Sequence, residues 1–280
     1  MTYRKKGLLM LAPGLAGFTI FYLAPFVYSF YYSLIENTFT KKFVGFSNFI
    51  EVISNKYYRI ALKNTFQFTG IGVPILVILS LILAILLISG KVKKQTSRAA
   101  FVIPILLPSA AVVMIWQVFF GDGSAFTEYF ASGLDSVKGS FWQKIPVFMF
   151  FFWKNAGFNM ILFIAGIMSI PEDIYEACSI EGANTFQKHY YITVPLLMPT
   201  TFFVVIISTV NSFRIFKETY LLYGAYPSEA LYLVQHYMNN HFHKLNYQNI
   251  TTGAIIFAAI VYTIVAAGFR FENRMNRGIW

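Results

Sequence analysis

The sequence predicts an all-α integral membrane protein that crosses the bilayer six times. Its 280 residues are 57% hydrophobic and only 12% charged, about half the charged fraction usual in globular proteins. Six long runs contain no Asp, Glu, Lys or Arg, apart from Lys154 in one of them. Each run supplies the about 20 apolar residues that a helix needs to cross a hydrocarbon layer roughly 30 Å thick. The predicted spans of this single transmembrane domain, residues 1–280, are 8–34, 65–90, 98–120, 145–169, 192–213 and 247–270.

The basic residues indicate how the chain is oriented. An even number of spans puts both termini on one side, where eleven Lys and Arg lie against ten on the other. Ten of those eleven are concentrated in three short segments at span ends, which is typical of the cytoplasmic side. We therefore predict that both termini and the connection 170–191 are cytoplasmic. The first apolar run is longer than that of a secretion signal and no small-residue cleavage site follows it, so we expect it to be retained.

Three connections are predicted to face outside, namely 36–63, 122–144 and 214–247. The first has apolar residues near helical spacing and is expected to lie along the membrane surface. These residues are Phe49, Ile50, Ile53, Tyr57, Ile60 and Ala61. The third contains His236, His241 and His243, but no cysteine or further ligand nearby completes a metal set, so we predict no metal site.

Motifs for catalysis or nucleotide binding are missing from the sequence. It contains no G-x-x-x-x-G-K-[ST] loop, no G-x-S-x-G elbow, no H-E-x-x-H helix and no C-x-x-C pair. The net charge of +10 forms no long basic tract, which argues against nucleic acid and favours lipid headgroup contacts. The chain is thus predicted to be non-catalytic and to bind no cofactor. If it takes part in ATP-driven work, another subunit must bind the ATP.

Four of the twelve acidic residues lie in one short stretch, PEDIYEACSIEG, between the fourth and fifth spans. Pro171, with Glu172 and Asp173 behind it, favours the start of a helix, because proline needs no hydrogen-bond partner there and acids suit the positive end of the helix dipole. Gly182 fits a left-handed stop. Asn184 or Thr185 can cap a second short helix. The predicted shape is helix, glycine turn, helix.

The first of these two helices is predicted to have a narrow apolar face, formed by Ile170, Ile174, Ala177 and Cys178. Two interpretations follow. The segment could be a plain amphipathic connector between two spans. Alternatively, it is a small acidic knob presented to a basic pocket on a cytoplasmic partner.

The same stretch resembles the E-A-A-x3-G-x9-I-x-L-P loop of ABC importer permeases. It reads Glu176-Ala177-Cys178, three residues, Gly182, nine residues, then Ile192-Thr193-Val194-Pro195. The departures are cysteine for the second alanine and valine for leucine. Further segments resemble the carbohydrate-uptake branch of that family, the maltose and glycerol-phosphate type. They are FVGFSNF (43–49), ALKNT (61–65), MIWQVFFGDG (114–123), GFNMILFIAGIMSIPEDIYEA (157–177) and SFRIFKETYLLYGAYP (212–227). The last ends in Tyr-Gly-Ala-Tyr-Pro where the family commonly has a Gly-Gly-Gly-Pro turn.

This resemblance implies a type I ABC importer permease fold in the bacterial cell membrane. It implies four kinds of partner: a second permease subunit, usually a different homologous chain; two cytoplasmic ATPase subunits that use ATP and Mg; an external solute-binding protein; and a sugar substrate. It also implies that the acidic stretch docks in a cleft of an ATPase subunit. The docking residues carried over from the motif are Glu176, Ala177, Cys178, Gly182, Ala183 and Asn184.

Polar groups inside the spans are candidates for the translocation pathway, because they are costly in lipid and tend to face an interior cavity. They are Lys154, Asn155, Asn159, Asn211 and Arg214. Alternatively, the two cations reach the headgroups and the asparagines bond between helices.

Other functions stay open. An importer of this architecture could carry polyamine, phosphate or another nonsugar solute. A stand-alone secondary transporter is disfavoured, because no acid lies within a predicted span except Glu218 at a margin. A membrane enzyme is disfavoured too, since no nucleophile or acid-base pair stands out. Neither the particular sugar nor the identity of the partner chains follows from the sequence.

Overall fold

The computed structural model describes residues 3–89, 94–120 and 144–276. Within them the regular structure is helical, mostly α, and one isolated β-bridge occurs, so the predicted all-α membrane class is confirmed. Five helical stretches are long and apolar enough to cross a membrane: Met10–Ser33, Lys56–Ile88, Ile145–Met168, Met198–Tyr223 and Tyr247–Arg270. A bent helix pair makes a sixth when counted as one span. The predicted connection 122–144, apart from Lys144, and the basic residues Lys91, Lys93 and Arg277 lie outside the described ranges.

The chain forms two compact units, one of residues Met1–Leu62 and Val234–Ile264, the other of Lys63–Leu233 and Val265–Trp280. In the first unit, α1 (Tyr3–Phe18) runs through a π-helical turn (Thr19–Leu23) into α2 (Ala24–Ser33), and α3 (Ser47–Ser54) follows. The Tyr58 hydroxyl donates a hydrogen bond to the Gly253 carbonyl over 2.7 Å. The Tyr58 ring meets the Tyr237 ring edge-on, with centroids 5.0 Å apart.

The amphipathic segment expected after the first span is two helices rather than one. Helix α3 ends at Ser54, and Asn55 is extended, with φ −65° and ψ 123°. The Asn55 side chain then accepts hydrogen bonds from the backbone N–H groups of Tyr57 and Tyr58 and starts α4 (Lys56–Ile88). Asparagine favours such a cap because its short side chain reaches the free backbone donors of the first turn.

The second unit holds most of the spanning helices. After the part of α4 that belongs to it, the elements are α5 (Lys94–Leu106), α6 (Ser109–Phe120), α7 (Ile145–Met168), α8 (Glu172–Ile180), α9 (Thr185–Lys188), a π-helical turn (His189–Thr193), α10 (Val194–Leu196), α11 (Met198–Phe213) and α12 (Phe216–Tyr223). Helix α13 (Val234–His243) belongs to the first unit, and α14 (Tyr247–Asn276) has residues in both. Helix α7 is central to the second unit, since its side chains Phe150, Phe151, Met160 and Phe163 are fully buried.

The predicted span 98–120 is not one straight helix. Ala100–Leu106 and Ser109–Phe120 meet at an angle of 109°. The break falls at Pro108, which has no N–H to bond to the preceding turn and disfavours helical geometry at Leu107. A continuous span was predicted because the run is uniformly apolar, whereas proline decides the backbone at this point.

Helices α5 and α7 pack with their backbones in contact. A Cβ atom added at Gly157 would lie 1.6 Å from the carbonyl oxygen of Phe101. Small residues allow such close approach between membrane helices, where packing and not water exclusion drives association. No larger residue fits at position 157 unless the two helices separate.

Candidate functional site

The acidic loop, residues 170–191, folds as a helix, a glycine turn and a second helix, as predicted. Helix α8 starts after Pro171, with Glu172 and Asp173 in its first turn. At its end the Gly182 N–H donates to the Ser179 carbonyl over 3.1 Å, and the Ala183 N–H donates to the Cys178 carbonyl over 3.0 Å. This pair of bonds is a Schellman motif. It requires the left-handed φ of +80° that Gly182 adopts and that other residues reach only with strain.

The second helix of the loop, α9, is capped by Asn184 and not by Thr185. The Gln187 N–H donates to the Asn184 side-chain oxygen over 2.9 Å, and the Asn184 N–H donates to the Gln187 side-chain oxygen over 2.8 Å. This reciprocal arrangement is a capping box, which satisfies two backbone donors at once. Only one residue, Ala183, separates the turn glycine from the cap, so the change of direction is tight.

Side-chain contacts tie the two helices of the acidic loop together. The Lys188 ammonium donates to the Ser179 hydroxyl over 2.5 Å. The hydroxyls of Tyr175 and Thr193 lie 2.9 Å apart, and the Tyr175 ring packs against the buried core of the unit. Burial lowers the pKa of the His189 imidazole, so the ring next to Thr193 is neutral near neutral pH. The loop is therefore rigid and is joined to the chain that enters α11.

The apolar face predicted for α8 is only partly buried. Ile170 is buried and Cys178 is half-buried, but Ile174 and Ala177 are exposed. Tyr175 turns inward in their place, because its ring reaches the core while its hydroxyl bonds to Thr193. A tyrosine suits this position because its ring is apolar and its hydroxyl is polar. Spacing of purely apolar residues does not identify it.

The surface around the glycine turn of the acidic loop combines charge with two strongly exposed apolar side chains. All four acids, Glu172, Asp173, Glu176 and Glu181, are exposed. Ile180 and Phe186 are 86% and 75% exposed, and neither was among the site residues predicted from the sequence. They flank the glycine turn, one on each side. Large apolar residues so close to a predicted polar turn were the signal in the sequence that could have identified them. Charge around exposed apolar anchors is typical of a docking surface.

Inside the spanning segments, Lys154 on α7 forms an ion pair with Glu218 on α12. Its ammonium nitrogen lies 2.7 Å from Glu218 Oε1 and also contacts the Ser109 hydroxyl. The Ser109 hydroxyl donates to the same carboxylate oxygen over 2.8 Å. Glu218 is buried and lies five residues before the end of the candidate span Met198–Tyr223. The charge of Lys154 is therefore neutralised within the protein.

The three asparagines bond between α7 and α11. Asn211 donates to Asn155 over 3.1 Å, and Asn159 donates to Ser208 over 2.7 Å. Asn155 and Asn159 are buried, whereas Arg214 is exposed and belongs to neither this group nor the ion pair. Of the five candidates for the pathway, four are thus used for contacts between helices.

Comparison with known proteins identifies the family of this chain. Residues 76–280, which include the acidic loop, match the model of the family described as binding-protein-dependent transport system inner membrane component. The chain belongs to this family. It is a membrane-spanning permease subunit, as the E-A-A resemblance predicted.

Relatives of this permease carry transport names. It is 31% identical over 235 residues to the trehalose/maltose transport system permease protein MalF of Thermococcus litoralis, covering 81% of this chain and 79% of that protein. It is 30% identical over 280 residues to the sn-glycerol-3-phosphate transport system permease protein UgpA of Agrobacterium fabrum, covering 96% of both. Its fold matches a chain in the crystal structure of a bacterial alginate ABC transporter in complex with an alginate pentasaccharide-bound periplasmic protein. That match has a TM-score of 0.76 and 23% identity, and it covers 99% of this chain and 96% of the other.

Proposed function

We propose that this permease forms half of the translocation pathway of an ATP-driven importer for a sugar or oligosaccharide. The observation that carries the proposal is the rigid acidic loop, which presents Glu176 and two exposed apolar residues beyond the end of a span. The MalF and UgpA names support a sugar or a related polyol phosphate as substrate. The periplasmic protein in the alginate structure supports delivery by an external solute-binding protein.

In this proposal the acidic loop docks in a cleft of a cytoplasmic ATPase subunit. Glu176 offers its charge to the cleft, while the small residues Ala177 and Cys178 permit close approach. Gly182 makes the turn, and Ala183 and Asn184 begin the second helix. Ile180 and Phe186 supply apolar contact on either side of the turn. Two ATPase subunits bind ATP and Mg, and the permease itself carries out no chemistry. The acidic loop and both termini lie on the cytoplasmic side.

The rigidity of the acidic loop supports a mechanical role. The Schellman turn, the capping box and the Lys188–Ser179 bond leave little freedom within the loop. Closure of the ATPase pair would therefore move the loop as one body and displace α11, which follows it through Thr193. The permease acts as a two-state element, and each ligand shifts it only by its differential affinity for the two states.

For the solute pathway, we infer a division of roles among the polar residues of the spans. Lys154, Asn155, Asn159 and Asn211 hold helices together through bonds inside the unit. Arg214 is exposed and takes no part in these bonds, so it is the better candidate to meet solute. A second permease subunit, a different homologous chain, would complete the pathway.

We expect Glu176→Lys to abolish stimulation of ATPase activity by solute, because the reversed charge would repel a basic cleft. The measurement uses the full complex in vesicles, with the solute-binding protein, and compares oligosaccharides, glycerol phosphate and polyamine as stimulants. Glu51→Lys makes the same charge change at an exposed site on α3 and should leave stimulation intact. Wild-type stimulation in an assembled Glu176→Lys complex would refute docking. If only polyamine stimulates the ATPase, the chain would still be an importer permease, but the proposal of a sugar substrate would be refuted.

Gly182→Asp should also uncouple transport, since the left-handed backbone at Gly182 disfavours residues with a Cβ. Gly182→Asn is the matched control, because asparagine adopts this conformation more readily than other residues with a side chain. It should retain most of the activity that the aspartate variant loses.

The thiol of Cys178, the single cysteine of the chain, offers a direct probe of docking. It is half-buried in the free chain. We expect maleimide labelling of Cys178 to slow several-fold when the ATPase subunits are bound, because they would cover the acidic loop. A Cys178→Ser, Phe39→Cys variant moves the thiol to an exposed side chain on a different connection and should label equally in both states. Unchanged labelling of Cys178 would contradict docking at this surface.

A further inference from the structure

Helix α3, between the first two spans, has an exposed apolar stripe. Phe46, directly before its first residue, and Ile50 and Ile53 are 68%, 68% and 52% exposed. They are spaced by four and three residues, so they lie on one side of the helix. Asn48 and Val52 on the opposite side are buried. The helix is thus packed along one side and presents a continuous apolar surface along the other.

The Asn48 side chain fixes where α3 lies relative to the first span. Its amide nitrogen donates to the carbonyl oxygens of Ser33 and Ile35, each over 2.9 Å. Ser33 is the last residue of α2 and of the candidate span Met10–Ser33. Helix α3 is therefore attached to the end of a span, at the level where the hydrocarbon layer gives way to headgroups.

Aromatic residues mark the same level independently. Tyr28 and Tyr31, in the last two turns of α2, are exposed. The rings of Tyr28 and Tyr31 are 6.4 Å apart, and that of Tyr32 lies 6.0 Å from Tyr31. Tyrosine is enriched at the boundary between membrane and water, where its ring and hydroxyl face different surroundings. The end of α2 to which Asn48 is bonded is thus marked as the membrane boundary.

The charge around α3 is suited to lipid phosphate. The stretch 36–59 contains four Lys and Arg but only two Glu. Lys41, Lys42 and Arg59 are exposed. Cations beside an amphipathic helix strengthen its attachment to a surface that carries phosphate groups. A protein partner would have to match both the apolar stripe and this positive charge at the membrane boundary, whereas the headgroup layer supplies both.

We propose that α3 is a membrane-interfacial helix whose Phe46, Ile50 and Ile53 side chains enter the headgroup layer of the bilayer. Lys41, Lys42 and Arg59 contact lipid phosphates. This goes beyond the proposed transport function, because it assigns a lipid-binding surface to a connection outside the spans. The surface anchors the end of the first span, through Asn48, at a fixed depth in the membrane.

A cysteine scan of α3 tests the proposal. The single native cysteine is first replaced by Cys178→Ser, and one cysteine at a time is introduced from position 46 to 54 and labelled with a nitroxide. The full complex is reconstituted in vesicles of phosphatidylethanolamine and phosphatidylglycerol. Collision rates are then measured with oxygen, which partitions into lipid, and with a water-soluble nickel chelate.

We expect Phe46→Cys, Ile50→Cys and Ile53→Cys to give several-fold higher oxygen-to-nickel ratios than Ser47→Cys, Glu51→Cys and Ser54→Cys. The latter three are matched controls, because they are exposed polar positions on the same helix. Equal ratios in the two sets would overturn the proposal. So would protection of position 50 that arises only when the solute-binding protein is added, which would make α3 a protein-docking surface.

Discussion

Gly157→Ala is expected to lower the stability of the permease by about 3 kcal/mol, the upper end of the usual cost of overpacking. The added methyl group would sit 1.6 Å from the Phe101 carbonyl oxygen. That atom belongs to the backbone of α5 and cannot turn aside as a side chain could, so α5 and α7 must separate. The measurement is the temperature at which half of the detergent-solubilised protein aggregates, together with uptake by vesicles.

Two other glycines provide a graded control for this prediction. At Gly166, an added Cβ would lie 2.8 Å from the ends of the Leu197 and Thr200 side chains, which can move, so a smaller loss is expected. At Gly70, within α4, nothing lies within 4 Å. Gly70→Ala should be neutral or stabilising, since alanine favours helix over glycine by about 1 kcal/mol. The contact between α5 and α7 would be less tight than described if Gly157→Ala behaved like Gly70→Ala.

Lys154→Met is expected to destabilise the permease by about 3–5 kcal/mol, because it leaves the buried Glu218 carboxylate without its cation. The double variant Lys154→Met, Glu218→Met should recover most of that loss. It removes both charges, and buried ion pairs can often be replaced by apolar residues at little cost. The thermal stability of the four proteins, wild type, two single variants and the double variant, gives the coupling energy of the pair directly.

The Glu218→Gln variant distinguishes the contribution of the Glu218 charge to stability from the contribution of its hydrogen bonds. Glutamine keeps an oxygen that can accept from Ser109 and Lys154 but removes the negative charge. We expect its stability to fall between those of the wild type and Glu218→Met. Additive losses in the double variant, with no recovery, would show that the two side chains are not energetically paired.

The acidic loop was predictable nearly residue by residue because its geometry is local. A proline start, a glycine in the left-handed region and an asparagine cap each act within a few residues of their own position. The orientation of α8 was less accessible. It depends on the contact of Tyr175 with Thr193, which is 18 residues further along the chain. A contact over that distance is set by tertiary packing.

The partner of Lys154 could have been anticipated from the sequence. A cation within a predicted span needs a nearby acid, and Glu218, at the margin of a predicted span, was one candidate. What the sequence could not supply is the contact between α7 and α12, residues separated by 64 positions. The position of the bend could be predicted from Pro108. Its angle of 109° could not, because it depends on the packing of α5 against α7 and of α6 against α12.

The glycine turn of the acidic loop has a consequence for how its sequence can vary. The turn uses Cys178 only through its backbone carbonyl, which accepts the Ala183 N–H. Any residue in helical conformation offers the same carbonyl, so this hydrogen bond places no demand on the side chain at 178. A cysteine in place of the motif's alanine therefore leaves the shape of the loop intact. The turn therefore tolerates variation at position 178 that it does not tolerate at Gly182.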